Sequence, residues 1–303
     1  MTPQHPAAQE ISEATVRWLL DFGLVRDSDH EAYVRTIGLG GWFPHLLPEG
    51  DADKVLLGSQ LTAWYTMVDD QLAERYGNRQ ADLAKVMGHL VHCEQTARLP
   101  QARPGDGPLQ RALLDVALRL RDAATPEQAV RLQWHAVQYY LGITTEAAYT
   151  AQQATPQVAD YLRIRQLTTC MPPFYVMSEI ARGLSTPLVV VMLPEVQELT
   201  ALATDLTALA NDIIGLPRDL QRGDPWTYAR VLARQRHCDH QETVAIMAQE
   251  FDQRTRRFVE LAGQLREMPL PAVSPYITVL QDLIAGHLAW TSRTPRYTTG
   301  GWH

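Results

Sequence analysis

The 303-residue sequence predicts an all-α protein. Ala and Leu are abundant, runs of β-branched residues are few, and no alternation of apolar and polar residues persists long enough to indicate a β-strand. Apolar residues recur instead at steps of three and four, which is the period of an α-helix with one buried face. No change of composition marks a domain boundary, so we expect a single domain over residues 1–303, with mobile tails at 1–10 and 298–303.

Start and stop signals order the helices along the chain. Thr125-Pro126-Glu127-Gln128 has a polar N-cap, a proline at the first helical position and a glutamine at the third, and Asp239 with Glu242 forms a similar capping box. Gly and Pro cluster in residues 38–50 and 99–108, which we expect to be loops. About ten helices are predicted, near residues 12–25, a short one after 28, 52–76, 81–97, 125–150, 156–183, 194–216, 225–236, 239–266 and 274–290.

Composition excludes several classes of protein. The net charge is −7 and no basic stripe is present, which argues against nucleic-acid binding. Three widely spaced cysteines suit reduced thiols better than a disulfide framework, and the N-terminus lacks the features of a signal peptide. The longest apolar run, 188–193, lies between two prolines and is too short to span a membrane. We therefore expect a cytoplasmic protein.

The most informative segment is an acidic pair beside an apolar helical stripe. Asp69 and Asp70 follow the stripe, and Glu74 comes one turn later. Carboxylates in an apolar setting are costly unless a cation neutralises them, and Mg²⁺ prefers such oxygen ligands. On this segment alone, the solvated end of an amphipathic helix is an equally good interpretation.

A second polar cluster lies about 140 residues later, inside another apolar helix. Asn211, Gly215 and Asp219 drift by only about 40° per step around an ideal α-helix, so they line one side of it. An amide oxygen and a carboxylate at that spacing can hold one cation. Taken alone, an Asn-Asp pair near a helix end is more often a cap or a turn.

Together the two clusters resemble the motifs of bacterial class I terpene synthases (terpene cyclases). Asp69, Asp70 and Glu74 match the DDxxxE form of the family's acidic motif. Asn211, Gly215 and Asp219 occupy the positions of its NDxxSxxx(E/D) metal triad. Further matches at family spacing are Arg165, 46 residues before Asn211; Arg218 within the triad; and Arg296-Tyr297, with Trp290 six residues before the arginine.

The resemblance implies a single-domain helical bundle around a central apolar cavity, in which Mg²⁺ assists ionisation of an allylic isoprenoid diphosphate. Three Mg²⁺ ions are expected, two held by Asp69 and one by Asn211 and Asp219. The remaining implied roles are diphosphate binding for Arg165, Arg218, Arg296 and Tyr297, cavity lining for Tyr65 and Trp290, and triggering of ionisation at Thr169.

The chain departs from the family pattern at four positions. Gly215 removes the hydroxyl ligand of the triad, and Asp219 is one methylene shorter than the usual glutamate. Pro217 between them should kink the helix. Thr169 stands where the family generally has a glycine. These changes predict a third metal site with one ligand missing, which water could replace.

Two alternatives stay open besides a sesquiterpene cyclase acting on farnesyl diphosphate. One is a diterpene synthase that uses geranylgeranyl diphosphate, because cavity volume decides chain length and a sequence does not give volume. The other is an isoprenoid-binding helical protein with little or no activity. Dimerisation is common in this fold, so a homodimer is possible, although the sequence identifies no interface patch.

Overall fold

A computed structural model describes residues 4–69, 83–88, 90–91, 107–222 and 226–297, and these ranges contain helices and no strand. Residues 83–88 and 90–91 are helical, and two 3₁₀ turns cover Leu39–Gly41 and Pro295–Tyr297. The other helices are α1 (Ala8–Asp21), α2 (Ser28–Thr36), α3 (Trp42–Leu46), α4 (Ala52–Val68), α5 (Pro108–Ala123), α6 (Pro126–Ala151), α7 (Val158–Thr168), α8 (Met171–Arg182), α9 (Leu188–Val191), α10 (Pro194–Arg222), α11 (Tyr228–Arg236), α12 (His240–Arg266) and α13 (Val273–Thr291). The all-α prediction is confirmed.

Both predicted capping boxes are present. The Thr125 hydroxyl accepts from the backbone N–H of Gln128, whose side chain accepts from the N–H of Thr125. Asp239 and Glu242 make the same reciprocal pair at the start of α12. These contacts satisfy backbone donors that the first turn of a helix leaves unpaired, so both helices begin where the sequence predicts.

Helix α4 is the central element that leads to the acidic pair. Twelve of its 17 residues are buried, because it packs against α1, α5 and α8. Trp64 is fully buried, and its indole N–H donates to the carbonyl of Leu109 at 2.9 Å. A helix that is buried on most of its surface has little freedom to rotate, so its C-terminal end has a fixed position.

The single helix predicted over 156–183 is wrong, because the chain breaks between α7 and α8. Cys170 has a left-handed backbone conformation with φ of 57°, and Pro172 and Pro173 follow in the first turn of α8. A proline has no N–H to continue the α7 ladder, whereas in a first turn that N–H would be unpaired in any case. The break leaves Thr169 and Cys170 at a junction inside the bundle.

Helix α10 is longer than predicted and runs through Pro217 to Arg222. It packs along α12 and α13. Among the described residues it is the one helix, over Pro194–Gln221, that is long and apolar enough to cross a membrane, but more than half of that stretch is buried inside the bundle. Its composition is that of a core helix.

The N-terminal region is more ordered than the sequence predicts. Helix α1 begins at Ala8, and His5 is buried, with its backbone N–H donating to the Pro44 carbonyl at 3.0 Å. The predicted loop over 38–50 contains a 3₁₀ turn and α3. Residues 298–303, predicted to be a tail, lie outside the described ranges.

Two buried polar groups tie the helices together. Arg131 on α6 donates two hydrogen bonds, at 2.8 and 3.0 Å, to the two carboxylate oxygens of Glu179 on α8, and Glu179 is fully buried. On α13, His287 accepts a 3.3 Å hydrogen bond at Nδ1 from the indole of Trp42. Burial, aided by the charge of Arg165, lowers the pKa of His287 to about 4, so its imidazole is neutral.

Candidate active site

The second polar cluster lies on one side of α10, as the spacing predicts. Gly215 is buried, and a Cβ atom built on it would lie 3.5 Å from Asp219 Oδ2 and 3.5 Å from the Tyr297 ring. The Tyr297 ring therefore packs over the position where the family motif has a hydroxyl side chain. This contact joins the C-terminal Arg-Tyr pair to α10.

Asn211 is held at both ends of its side-chain amide. Its Nδ2 donates to the Tyr297 hydroxyl at 2.7 Å, and its Oδ1 accepts from Arg165 Nη2 at 3.2 Å. Three residues that are far apart in the sequence thus meet in one hydrogen-bonded group. Arg165 comes from α7, Asn211 from α10, and Tyr297 from the 3₁₀ turn after α13.

Asp212, which motif spacing alone does not single out as a site residue, is the principal partner of Arg165. Its Oδ1 accepts from Arg165 Nε at 3.0 Å and from Nη2 at 2.8 Å, while Oδ2 accepts from the Tyr161 hydroxyl at 3.1 Å. Burial alone would lower the pKa of Arg165, but the Asp212 carboxylate raises it, so the guanidinium stays charged. The i, i+4 spacing of Tyr161 and Arg165 was the available sequence signal.

The positive charges of three arginines act on the Tyr297 hydroxyl. Burial raises the pKa of this phenol, while the positive charges of Arg296, Arg165 and Arg218 oppose that rise. Tyr297 is 8% exposed, so these charges act across a partly desolvated space. Planar guanidinium groups near a buried hydroxyl suit an anion with several oxygens.

The acidic segment begins at the end of α4, where Asp69 is exposed. Burial raises the pKa of the Cys170 thiol, and the negative charge of Asp69 raises it further while Arg165 opposes it. Asp69 also raises the pKa of Tyr139, after burial and the effect of Cys170. The charges of Asp69 and Arg165 therefore both act on the thiol of Cys170, which lies at the α7–α8 junction.

For three other predicted site residues, Asp70, Glu74 and Thr169, the described part of the structure contains no side-chain contact that bears on their predicted roles. Asp70 and Glu74 lie outside the described residues. Thr169 ends α7, and its backbone N–H donates to the carbonyl of Arg165 at 3.0 Å. Within the described ranges, no group of three or more His, Cys, Asp or Glu side chains is arranged to hold a metal.

An apolar region lies one turn before Asp69. Tyr65 makes an edge-on contact with Tyr139 at 4.9 Å between ring centroids, and another with Phe174 at 6.2 Å. Tyr139 and Phe174 were not singled out by the sequence, in which an aromatic in a helix is indistinguishable from ordinary core. Trp290 contacts the Tyr297 ring edge-on at 6.5 Å, so it lies beside the polar group.

A cavity of about 330 Å³ extends from Tyr65 between α4, α5 and α6. Its walls are mostly aliphatic, and Leu61 and Tyr65 on α4 share the face that leads to Asp69 at steps of four residues. Its lining consists of Leu61, Tyr65, Leu113, Val116, Ala117, Leu120, Arg121, Ala124, Pro126, Ala129, Val130, Leu132, Gln133, Ala136 and Pro173.

Comparison with known proteins assigns the class. A family model described as terpene synthase family 2, C-terminal metal binding, matches residues 60–257. The chain therefore belongs to the bacterial class I terpene synthases, as the motifs predict, and it is an enzyme of the terpene synthase (cyclase) type, a lyase. The metal-binding description agrees with use of a divalent metal.

The relatives and the solved structures agree with this class. Pristinol synthase of Streptomyces pristinaespiralis is 26% identical, with 98% of this chain and 82% of that protein covered. The (−)-α-amorphene synthase of Streptomyces viridochromogenes, described as cyclising (2E,6E)-farnesyl diphosphate, is 24% identical over 97% of this chain and 86% of that protein. The crystal structure of SVS_A2, a protein from ancestral sequence reconstruction, matches with a TM-score of 0.88 at 26% identity, covering 97% of this chain and 88% of that one.

Proposed function

We propose that this protein ionises farnesyl diphosphate with the help of Mg²⁺ and cyclises the resulting carbocation to a sesquiterpene. The observation that carries the proposal is the meeting of Arg165, Asn211 and Tyr297, where the charges of two further arginines act, together with the charge of Asp69 at the α7–α8 junction. A set of cations together with a carboxylate suits a metal-bridged polyanion.

The diphosphate would bind to the arginine group. Arg165 and its neighbours Arg218 and Arg296 offer planar donors, and the Tyr297 hydroxyl offers one more hydrogen bond. Asp212 and Tyr161 act as positioning residues, because they fix the plane of the Arg165 guanidinium. A guanidinium that is already oriented loses less entropy when it binds an anion.

The side chains present fit a hard divalent cation in part. Asn211 and Asp219 would supply oxygen atoms from one side of α10, and Asp69 would supply a carboxylate from the end of α4. These residues would hold three Mg²⁺ ions, two at Asp69, where Asp70 and Glu74 complete the motif, and one at Asn211 and Asp219. When bound, the metal neutralises charge on the departing diphosphate oxygens. Gly215 leaves one ligand position to water.

The hydrocarbon chain would lie in the apolar region next to Tyr65. A cavity of about 330 Å³ is within the usual range for small ligands, and its mostly aliphatic walls suit a hydrocarbon chain. The faces of Tyr65, Tyr139, Phe174 and Trp290 can stabilise positive charge. The amorphene synthase relative, which cyclises (2E,6E)-farnesyl diphosphate, supports farnesyl diphosphate as the substrate, while geranylgeranyl diphosphate is the alternative that a larger cavity would favour.

Product analysis tests the proposal. Purified protein with Mg²⁺ is incubated separately with geranyl, farnesyl and geranylgeranyl diphosphate, and extracts are examined by gas chromatography–mass spectrometry. We expect a cyclic sesquiterpene hydrocarbon or alcohol from farnesyl diphosphate. Asp69→Asn should abolish it, whereas Asp29→Asn, which alters an exposed acid on α2, should leave it unchanged. A cyclic product from geranylgeranyl diphosphate alone would replace the substrate assignment.

A second candidate function follows from Gly215, which removes a ligand of the triad, and from Pro217, which lies inside α10 between two triad positions. In that case the protein binds isoprenoid diphosphates without turning them over. Calorimetry would then detect diphosphate-dependent Mg²⁺ binding in a protein that yields no product from any of the three substrates. In either case we propose a cytoplasmic protein, since α10, its one described helix of membrane-spanning length, packs inside the bundle.

A further inference from the structure

Asp205 lies on the same side of α10 as Asp212, two helical turns earlier. Seven residues of an α-helix turn through about 700°, so the two carboxylates share one side and are about 10 Å apart along the axis. Gln166 Nε2 on α7 donates to Asp205 Oδ1 at 2.8 Å. Arg165, the preceding residue of α7, donates to Asp212. Helix α7 is therefore attached to α10 at two points.

The second oxygen of Asp205 binds a cation from a third helix. Arg254 on α12 donates from Nε to Asp205 Oδ2 at 3.4 Å, and from Nη1 to Glu250 Oε2, one turn earlier on α12, at 3.1 Å. These three side chains are only 20 to 22% exposed. Because each oxygen of Asp205 has its own donor, the carboxylate cannot rotate without breaking a hydrogen bond. Arg254 therefore fixes the acceptor that holds Gln166.

The contacts continue from Glu250 back to α7. Tyr228 on α11 donates its hydroxyl to Glu250 Oε2 at 2.8 Å, and its ring stacks on that of Tyr161 with 5.4 Å between centroids and 14° between planes. Tyr161 in turn donates to Asp212, the partner of Arg165. The contacts thus form a closed ring through α7, α10, α11 and α12, and Arg165 belongs to it.

We infer that Arg254 is a positioning residue for Arg165, which acts through Asp205 and Gln166 and raises the affinity of the site for diphosphate. The inference rests on the proposed function, in which Arg165 binds that anion. With one attachment, α7 could pivot about the contact between Arg165 and Asp212. The second attachment, two turns away on α10, removes that freedom, so the guanidinium is oriented before the anion arrives.

A matched ion pair on the same two helices separates positioning from general stability. Arg257 Nε donates to Glu198 Oε1 at 2.7 Å, which joins α12 to α10 as the pair of Arg254 and Asp205 does. The charged partners of Arg257 are Glu198 and Glu260, and neither lies on α7. Arg257→Leu therefore removes a link between α10 and α12 but leaves both attachments of α7 in place.

Calorimetric titration of the full chain with inorganic diphosphate in the presence of Mg²⁺ tests the inference. Arg254→Leu and Gln166→Leu should each weaken diphosphate binding about tenfold, which is within the range for groups coupled in one hydrogen-bonded network. Arg254→Lys, which keeps the charge, should recover part of the affinity, and Arg257→Leu should bind like the wild type. In an Arg165→Leu background, Arg254→Leu should have no further effect, since it acts through that guanidinium.

Amide hydrogen exchange of α7 in the ligand-free protein gives an independent readout. Exchange over residues 158–168 should be faster in Arg254→Leu and Gln166→Leu than in Arg257→Leu. If circular dichroism shows that Arg254→Leu does not fold, Gln166→Leu, which removes no charge, decides the question.

Two results would overturn the inference alone. They are wild-type binding of diphosphate that the folded Arg254→Leu and Gln166→Leu proteins retain unchanged, and an equal loss of affinity in Arg257→Leu. A wild-type protein that binds no diphosphate would overturn the proposed function and this inference together.

Discussion

Restoring a hydroxyl at position 215 should strengthen metal binding without disturbing the fold. A Cβ atom on Gly215 would have its nearest neighbours, Asp219 Oδ2 and the Tyr297 ring, at 3.5 to 3.6 Å, which is ordinary van der Waals contact. Gly215→Ser therefore fits without moving either neighbour. Serine is also a better helix former than glycine, so the free energy of unfolding should rise by about 0.5 kcal/mol, or roughly 1 °C in melting temperature.

The larger effect should appear with Mg²⁺ and inorganic diphosphate together. One additional oxygen ligand that raises metal affinity tenfold adds about 1.4 kcal/mol to the stability of the bound protein at saturating ligand. We expect a further rise of about 2 °C in the melting temperature, followed by fluorescence, and a lower Mg²⁺ concentration for half-maximal turnover.

Gly263→Ser is the matched control. Gly263 lies in α12 with no atom within 4 Å of its Cβ position, so it has the same helix-propensity gain and no ligand nearby. The Gly263→Ser variant should show the small rise in the free energy of unfolding without the additional rise that depends on Mg²⁺ and diphosphate. A Gly215→Ser protein that melts below wild type without ligand would refute the packing at position 215. An Mg²⁺-diphosphate shift no larger than that of wild type would refute the assignment of this position to the metal site.

Three further outcomes are expected. His287 has a pKa of about 4 in the folded protein and takes up a proton near pH 6.5 when the chain unfolds, so its contribution to the free energy of unfolding is intact above pH 6.5 and is lost as the pH falls towards 4. Between pH 7 and pH 5, the free energy of unfolding measured in urea should therefore fall by about 2 kcal/mol less for His287→Gln than for the wild type. Glu179→Gln should cost about 3–5 kcal/mol in the same assay by leaving Arg131 buried without a counter-charge, and an equally stable variant would contradict this pairing. Asp212→Asn should lower kcat by about tenfold or more in a diphosphate-release assay, because Arg165 loses its orienting carboxylate, and an unchanged kcat would show that another group fixes the guanidinium.

The residues at the polar centre of the site could be predicted because the spacing of a motif along a helix determines which of its residues lie on the same side. Asn211, Gly215 and Asp219 share a side of α10 for the geometric reason that four residues are close to one helical turn. The contact of Arg165 with Asn211 could be expected only from the family resemblance, since they come from different helices. Asp212 was missed because nothing in the sequence distinguishes an aspartate that pairs with an arginine from an aspartate that caps a helix.

Other features depend on which side of a helix faces the core, and one sequence does not contain that information. Val130 and Trp134 have the same apolar character as buried residues of α6, and only the packing of α6 leaves them outside. The break at Cys170 was missed because apolar periodicity continues across 169–170, while the prolines that end α7 also suit the first turn of α8. The roles of Asp70 and Glu74 stay predictions.

The side-chain amide of Asn211 makes two hydrogen bonds, with Arg165 and with Tyr297, and these make the binding of Mg²⁺ and the binding of diphosphate thermodynamically dependent on each other. The hydrogen bond from the positively charged Arg165 to the amide oxygen weakens the coordination of a cation there, and an anion draws Arg165 away from it. Each ligand therefore removes part of the cost of binding the other, and linkage requires the two enhancements to be equal. Affinities measured for Mg²⁺ alone and for diphosphate alone should both underestimate the affinity of the pair, so that the site fills as a unit.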